Sequence, residues 1–491
     1  MEAPTKTIRE EMKQSALIAL LATVCAAPAA QAAPILLAIG SISAGATDRS
    51  GLVGPLENGV AGNLLGGIGS GLAWAGGSTF VSTPDRGPNA SAYNPLVDDT
   101  TSYIARFQSL SLALAPGVAG SPTPFTLTPT LTGTTLLSSA TPLVYGSGAA
   151  GTGTVAGVNY TLGSGTPALN AANGTSYFTG RSDNFDPAAL STSPNNARLD
   201  PEGVRVAGNG KSVFISDEYG PYIYQFDRAT GQRLQSFELP ANLAVSKLSA
   251  QGAVEISTNT VGRVANKGME GLAISPDGKT LVGIMQAPLE QDSGNVVRIV
   301  TIDIATKATH QYAYKLTTGS GVSEIVALND HQFLVDERDG KGLGDGTVAK
   351  VKQLFMIDLT GAQDITLLQG DLSAKAVAKT LVLDLVKSLG GQGVVANQVP
   401  AKIEGMAFGE NVVYNGELLH TLFIANDNDF LQNVAGDNQF YVYGLSDATL
   451  ALAGASYTAQ SIAAVPEPAT MMLLGAGLLG MAVRRKKTRA A

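Results

Sequence analysis

The chain has 491 residues, a formal net charge of −8, only 15% charged residues, 57 glycines and one cysteine. Its acidic balance argues against nucleic acid as a partner, and a single cysteine excludes a disulfide framework. Sparse charge with abundant glycine points to turn-rich β-structure rather than long charged helices.

At the start, Lys13 precedes an apolar stretch from Ala16 to Ala27, followed by the small-residue pattern Ala30-Gln31-Ala32. That order predicts a signal peptide over residues 1–32, removed on export. Met12-Lys13-Gln14 offers a compact alternative start. Cys25 lies inside the apolar stretch and leaves with it; bulky Val24 before it does not suit a lipoprotein cysteine. Without the two terminal segments the chain has 24 basic against 36 acidic residues, which leaves divalent cations as plausible ligands.

Five segments then share one plan: an apolar strand with a Glu-Gly or related step, a polar turn, and a second apolar strand running into acidic residues. They are Ser70–Asp85, Pro201–Gly220, Met269–Gln286, Val322–Gly340 and Ile403–Asp429. Outer strands follow, as in Tyr222–Asp227, Val297–Asp303, Gln353–Asp358 and Phe440–Tyr443. Short alternating strands with Asp-centred turns mark antiparallel meanders. A four-stranded meander repeated about an axis is a propeller blade. The long interval between Asp85 and Glu202 leaves room for a further blade, so the expected fold is an all-β propeller of six or seven blades over residues 40–445. Leu372–Leu389 reads as an inserted helix, and residues 446–464 as a linker.

In such a fold Glu202, Glu270, Glu324 and Glu404 are expected at equivalent steps near the axis. Asp85, Asp217, Glu218, Asp336, Glu337 and Asp427 should reach the same place from the second strands. Two unit charges about 4 Å apart repel by roughly 4 kcal/mol at an effective dielectric near 20, so cations, Arg or Lys, or protons must neutralise them. Oxygen ligands suit Ca²⁺ or Mg²⁺. Three histidines and no mature cysteine argue against Zn²⁺. The candidate metal ligands are Glu202, Asp217, Glu218, Glu324, Asp336, Glu337, Glu404 and Asp427, with Ca²⁺ as the expected ion. The competing reading is that a repeated Glu only binds backbone N–H groups of the next blade. Arg86, Arg181, Arg205, Lys267, Arg338 and Lys402 flank these segments; Arg86, Arg338 and Lys267 are the candidate phosphate-binding residues. No Gly-x-Ser-x-Gly elbow is present, and glycine-rich runs such as Gly66–Gly71 have no following Gly-Lys-Ser/Thr, so they do not read as nucleotide loops.

At the end, Val465-Pro466-Glu467-Pro468 precedes an apolar run from Ala469 to Val483 and the cluster Arg484-Arg485-Lys486-Lys487. The basic cluster would stay cytoplasmic. The run is shorter than the ~20 residues of a full transmembrane helix, which favours a processed or transient segment. Residues 465–488 resemble the PEP-CTERM sorting signal, which implies an exosortase as partner, passage through the inner membrane, and a cell-surface or secreted product.

Several blocks carry a second resemblance: G-L-A-W…D-R-G-P at Gly71–Pro88, R-S-D-N-F-D-P at Arg181–Pro187, R-L-D-P-E-G-V…I-S-D-E-Y-G-P at Arg198–Pro221, M-E-G-L-A-I-S-P-D-G at Met269–Gly278 and I-E-G-M-A-F at Ile403–Phe408. Together they resemble the family described as esterase-like activity of phytase. The resemblance implies a phytase-like hydrolase of phosphate esters. On the residues, Ca²⁺ held by channel carboxylates would bridge phosphate oxygens, Arg86 or Arg338 would offset charge, and Glu270 would take the proton of the attacking water. Two alternatives remain open at this level: a non-catalytic surface propeller binding extracellular polysaccharide or protein, and a lactonase-like ester hydrolase.

Overall fold

A computed structural model describes residues 33–89, 100–146, 152–155, 158–161, 166–186 and 188–463. The expected signal peptide and the sorting segment from residue 465 lie outside them. Among the described residues no helix is long and apolar enough to cross a membrane.

The predicted strand pairs become the inner halves of five antiparallel sheets. Blade 1 is Gly71–Trp74, Thr79–Thr83, Arg106–Pro116 and Phe125–Leu136, from axis to rim. Blade 2 is Pro201–Val206, Ser212–Asp217, Tyr222–Asp227 and Arg233–Glu238. Blade 3 is Met269–Ile274, Thr280–Met285, Val296–Asp303 and Thr309–Lys315. Blade 4 is Gly321–Ala327, Gln332–Arg338, Lys352–Asp358 and Lys379–Asp384. Blade 5 is Lys402–Phe408, Glu417–Asp427 and Asn438–Leu445, completed by Ile35–Ile42 from the other end of the chain. The innermost strands neighbour one another in a closed ring, blade 5 against blade 1.

Five blades are present among the described residues, not six or seven. The interval between Asp85 and Glu202 holds the two long outer strands of blade 1, whose pairing runs from Arg106 with Leu136 to Pro116 with Phe125. The described remainder holds short pairs such as Ser138–Ser139 with Ser176–Tyr177 and the helix Ala168–Asn173. The helix expected over 372–389 is also corrected. Leu381, Leu383 and Leu385 recur every second residue, and Lys379–Asp384 pairs with the third strand of blade 4. The helix is confined to Leu385–Gly391, where Leu385 and Leu389 are buried one turn apart and Asp384 accepts from the Lys387 N–H at 3.0 Å.

The core lies between blades. One apolar layer joins blades 2, 3 and 4, and others join 4 with 5, 5 with 1, and 1 with 2. The inner strands of blades 2 and 3 are therefore buried along their whole length. Five inner strands leave little room at the centre. A Cβ on Gly203 would lie 2.5 Å from the Leu272 nitrogen, and one on Gly271 would lie 2.8 Å from the Glu324 Cα. Glycine follows the acid because the neighbouring backbone occupies the place of a side chain. Residues 446–463 form the helix Asp447–Leu452 and a strap that crosses the opposite face of the ring from the carboxylates.

Candidate active site

The acid-bearing steps sit at β-bulges. Register with the second strand shifts between Pro201 and Val204, Met269 and Gly271, Val322 and Glu324, and Ile403 and Met406. A bulge re-aims a side chain out of strict alternation. It carries Glu202, Glu270 and Glu404 in blades 2, 3 and 5, but Ser323 in blade 4. Ser70 precedes Gly71 at the corresponding step of blade 1. Glu324 is thus one residue further along and takes the place of the glycine, so its expected equivalence with the other three glutamates does not hold.

That offset gives Glu324 another role. It is fully buried and pairs with Arg205 at 3.0 Å. Its Oε1 accepts from the N–H groups of Leu272 and Ile325, each at 2.9 Å. Arg205 donates to Leu72 O at 2.6 Å and Ile325 O at 2.8 Å. The pair ties blades 1, 2, 3 and 4 across the axis. Burial still pushes the Glu324 carboxyl up to about 7 against the pull of Arg205.

Above this plug six acids gather in two groups. Ligand oxygens of Asp200, Glu202 and Glu218 lie within 4.8 Å of one another, as do those of Asp85, Asp427 and Asp429. Arg86 flanks the first group, 2.8 Å from Asp200 and 3.9 Å from Glu218. Lys402 enters the second, 2.9 Å from Asp427 and 2.5 Å from Asp429. Arg338 reaches Glu404 at 2.5 Å and Glu270 at 3.8 Å, while its Nε donates to Ser323 at 2.6 Å.

Negative charge exceeds positive charge here, and burial sharpens the imbalance. Burial, then Glu270, Asp200, Glu218 and Glu404, raises Glu202 well above the usual carboxylate range. Burial and Glu270 do the same to Glu218, and burial and Asp427 to Asp85. Glu270 is pushed up to about 8 by burial and by Glu404, with Arg338 opposing. Glu218 Oε1 and Glu270 Oε2 are buried without a hydrogen-bond partner among the described residues. Unpartnered carboxylate oxygens in an all-oxygen cluster fit a hard divalent cation. The Asp200–Glu202–Glu218 group fits better than the other because it holds one of these unpartnered oxygens, Glu218 Oε1.

The other expected site residues are distributed as follows. Asp217 Oδ1 accepts from Asp200 N at 3.2 Å and Tyr219 N at 3.0 Å, shaping the loop, and burial raises its carboxyl to about 7. Glu337 accepts from Thr317 N and Ser320 Oγ at 2.9 Å, from Tyr314 Oη at 2.5 Å and from Lys379. Its donors are all protein groups. Asp336 is fully buried with neither oxygen hydrogen-bonded among the described residues, and burial raises it strongly. Lys267 is exposed and lines, with Arg338, Gln286, Asn295 and Ser320, a cleft of about 430 Å³ between blades 3 and 4. Arg86 bonds Asp200 and Asn266 outside that lining. Arg181 is engaged by Asp183 at 2.6 Å. Asp200 was not singled out from the sequence. Its signal was the R-L-D-P-E-G block, which puts it two residues before Glu202.

Residues 63–430 match the model of the family described as phytase-like, esterase-like activity of phytase. Residues 464–486 match the PEP-CTERM protein-sorting motif, which implies an exosortase-type processing partner. An uncharacterized secreted protein of Arthroderma benhamiae is 35% identical over 177 residues, 29% of this chain and 34% of that relative. The match thus spans about a third of the relative's length. Similar solved structures include the periplasmic gluconolactonase of Pseudomonas aeruginosa, 11% identical over 84% of this chain and 99% of that one, with a TM-score of 0.32. Hydrazine synthase of Kuenenia stuttgartiensis is 12% identical over 75% of this chain and 80% of that one, with a TM-score of 0.30. Likeness at this level carries no argument about blade number or chemistry.

Proposed function

The chain belongs to the phytase-like family with esterase-like activity, and from that premise we propose that it is an exported hydrolase of phosphate esters working at the carboxylate end of the axis. The observation that carries this reading is the position of Glu270, an acid raised to about 8 with one free oxygen. It touches Gln286 and lies 3.8 Å from Arg338, and both neighbours line the open cleft. A group poised near the working pH is suited to proton transfer.

Arg338 and Lys267 take the anionic oxygens of the ester from the cleft side. Arg86, fixed by Asp200 and Asn266, offsets charge from the other. Water attacks phosphorus, the ester P–O bond breaks, and inorganic phosphate and an alcohol leave. The ionised Glu270 receives the proton that the water gives up and passes it to the departing ester oxygen, which leaves as the alcohol. Asp200, Glu202 and Glu218 would hold a divalent cation, calcium by ligand type, which when bound supplies neutralising charge and polarises the phosphate. The sorting motif and the secreted relative support export and surface delivery.

The test measures phosphate release from phytate and from a chromogenic monoester, with calcium and with chelator, alongside a lactone. Release with calcium that chelator abolishes supports the reading. Turnover of the lactone alone, or no turnover of any substrate with calcium, removes it.

A further inference from the structure

The carboxylates and the strap that leads to the sorting signal lie at opposite ends of the same strands. Pro201–Val206 starts beside Asp200 and Glu202 and ends at the turn holding Gly208. Six residues at ~3.3 Å each separate those ends by about 20 Å. The strap is fixed to the turn end. Ser456 N donates to Gln332 at 3.1 Å and Thr458 N to Leu328 O at 2.7 Å. Gln460 reaches Val206 O at 2.8 Å, and Ala463 N donates to Gly208 O at 2.8 Å. The Tyr457 ring sits 4.5 Å from Phe408 and 4.4 Å from His420. Successive contacts with blades 4, 5, 2 and the turn of blade 2 leave the chain pinned up to Ala463.

Only five residues, Ala464–Pro468, separate that last pinned residue from the apolar run beginning at Ala469. Fully extended, they span at most about 18 Å. A tether this short is too small to carry the chain up the side of the propeller and over its other end. We propose that the face formed by the turns at Gly208, Pro276 and Leu328 is the protein's membrane-facing surface while the sorting segment is inserted. Lipid headgroups are its neighbour there, and the acidic face opens away from the bilayer. The proposal rests on the apolar run entering the membrane and is independent of the hydrolase reading. It implies that the precursor already has its carboxylate site open to large external substrates.

Because Cys25 is the only cysteine, single-cysteine labelling is clean in a full chain carrying Cys25→Ser. A fluorophore is placed at Lys211→Cys or Lys279→Cys on the strap side, or at Lys341→Cys in the loop after Arg338; all three positions are exposed. The chain is incorporated into phosphatidylethanolamine–phosphatidylglycerol vesicles containing a headgroup-coupled energy acceptor. Several-fold stronger quenching at positions 211 and 279 than at 341 is expected. Insertion of a 30-residue Gly/Ser linker after Ala464 should remove most of that difference. Equal or reversed quenching with the native tether overturns the orientation. A chain that fails to float with vesicles overturns the membrane premise, and the proposal with it.

Discussion

Raising the pH of the cation-free protein from 5 to 8 should destabilise it, and Glu270 gives the scale of the effect. Its carboxyl rises from the ordinary 4.5 to about 8, through burial first and Glu404 second. Between those two values the folded chain holds a proton that the unfolded chain has released. The stabilisation is complete below the unfolded pKa and is lost as pH climbs through the folded one. Each unit corresponds to about 1.4 kcal/mol, so between pH 5 and 8 this one residue accounts for a loss of roughly 3–4 kcal/mol. That is a large part of the 5–15 kcal/mol typical of a folded domain. Glu202, Glu218 and Asp85 shift in the same direction. Glu337 and Glu255 are lowered, so their contributions change at more acidic pH. Urea unfolding in chelator at pH 5, 6.5 and 8 measures the slope. The midpoint should fall with pH, and calcium should restore stability at pH 8 by about 2.7 kcal/mol at a hundred times its dissociation constant. A midpoint that stays level or rises between pH 5 and 8 in chelator would refute the account of these carboxylates.

Three further outcomes follow from the same geometry. Glu270→Gln should lower phosphate release by roughly 10²–10⁴-fold and flatten the pH slope of stability, read by initial rates and by the urea series. Arg205→Met leaves Glu324 unpaired on the axis and should cost about 3–5 kcal/mol in denaturant unfolding. Adding Glu324→Leu should recover most of that loss, and no recovery would mean that Arg205 acts through its backbone contacts instead. Gly271→Ala puts a Cβ 2.8 Å from the Glu324 Cα and should cost about 1–3 kcal/mol. Gly346→Ala, where nothing lies within 4 Å but φ is +76°, separates crowding from backbone strain: it should cost less, about 1 kcal/mol.

The strand pairs, their acidic ends, the family blocks and the sorting signal were legible in the chain because each is local. Alternation with period two, a turn residue or a run of composition needs no distant partner. The same locality hides a one-residue offset. Setting Glu324 beside the other glutamates matches letters, yet a slip of one position sends a side chain elsewhere, and only the bulge at Ser323 reveals it. Blade number is a property of ring closure. It depends on how closely Gly203, Gly271 and Gly405 let inner strands approach, on Ile35–Ile42 crossing to complete blade 5, and on the long outer hairpin of blade 1 taking up the interval that seemed to hold another blade. Tertiary packing also decided that Lys379–Asp384 is a strand, since its neighbour on blade 4 offers an open edge. Sequence therefore determined which segments pair and which carry acid; only the closed structure decided which acids share a desolvated space, because that space exists only when distant strands meet.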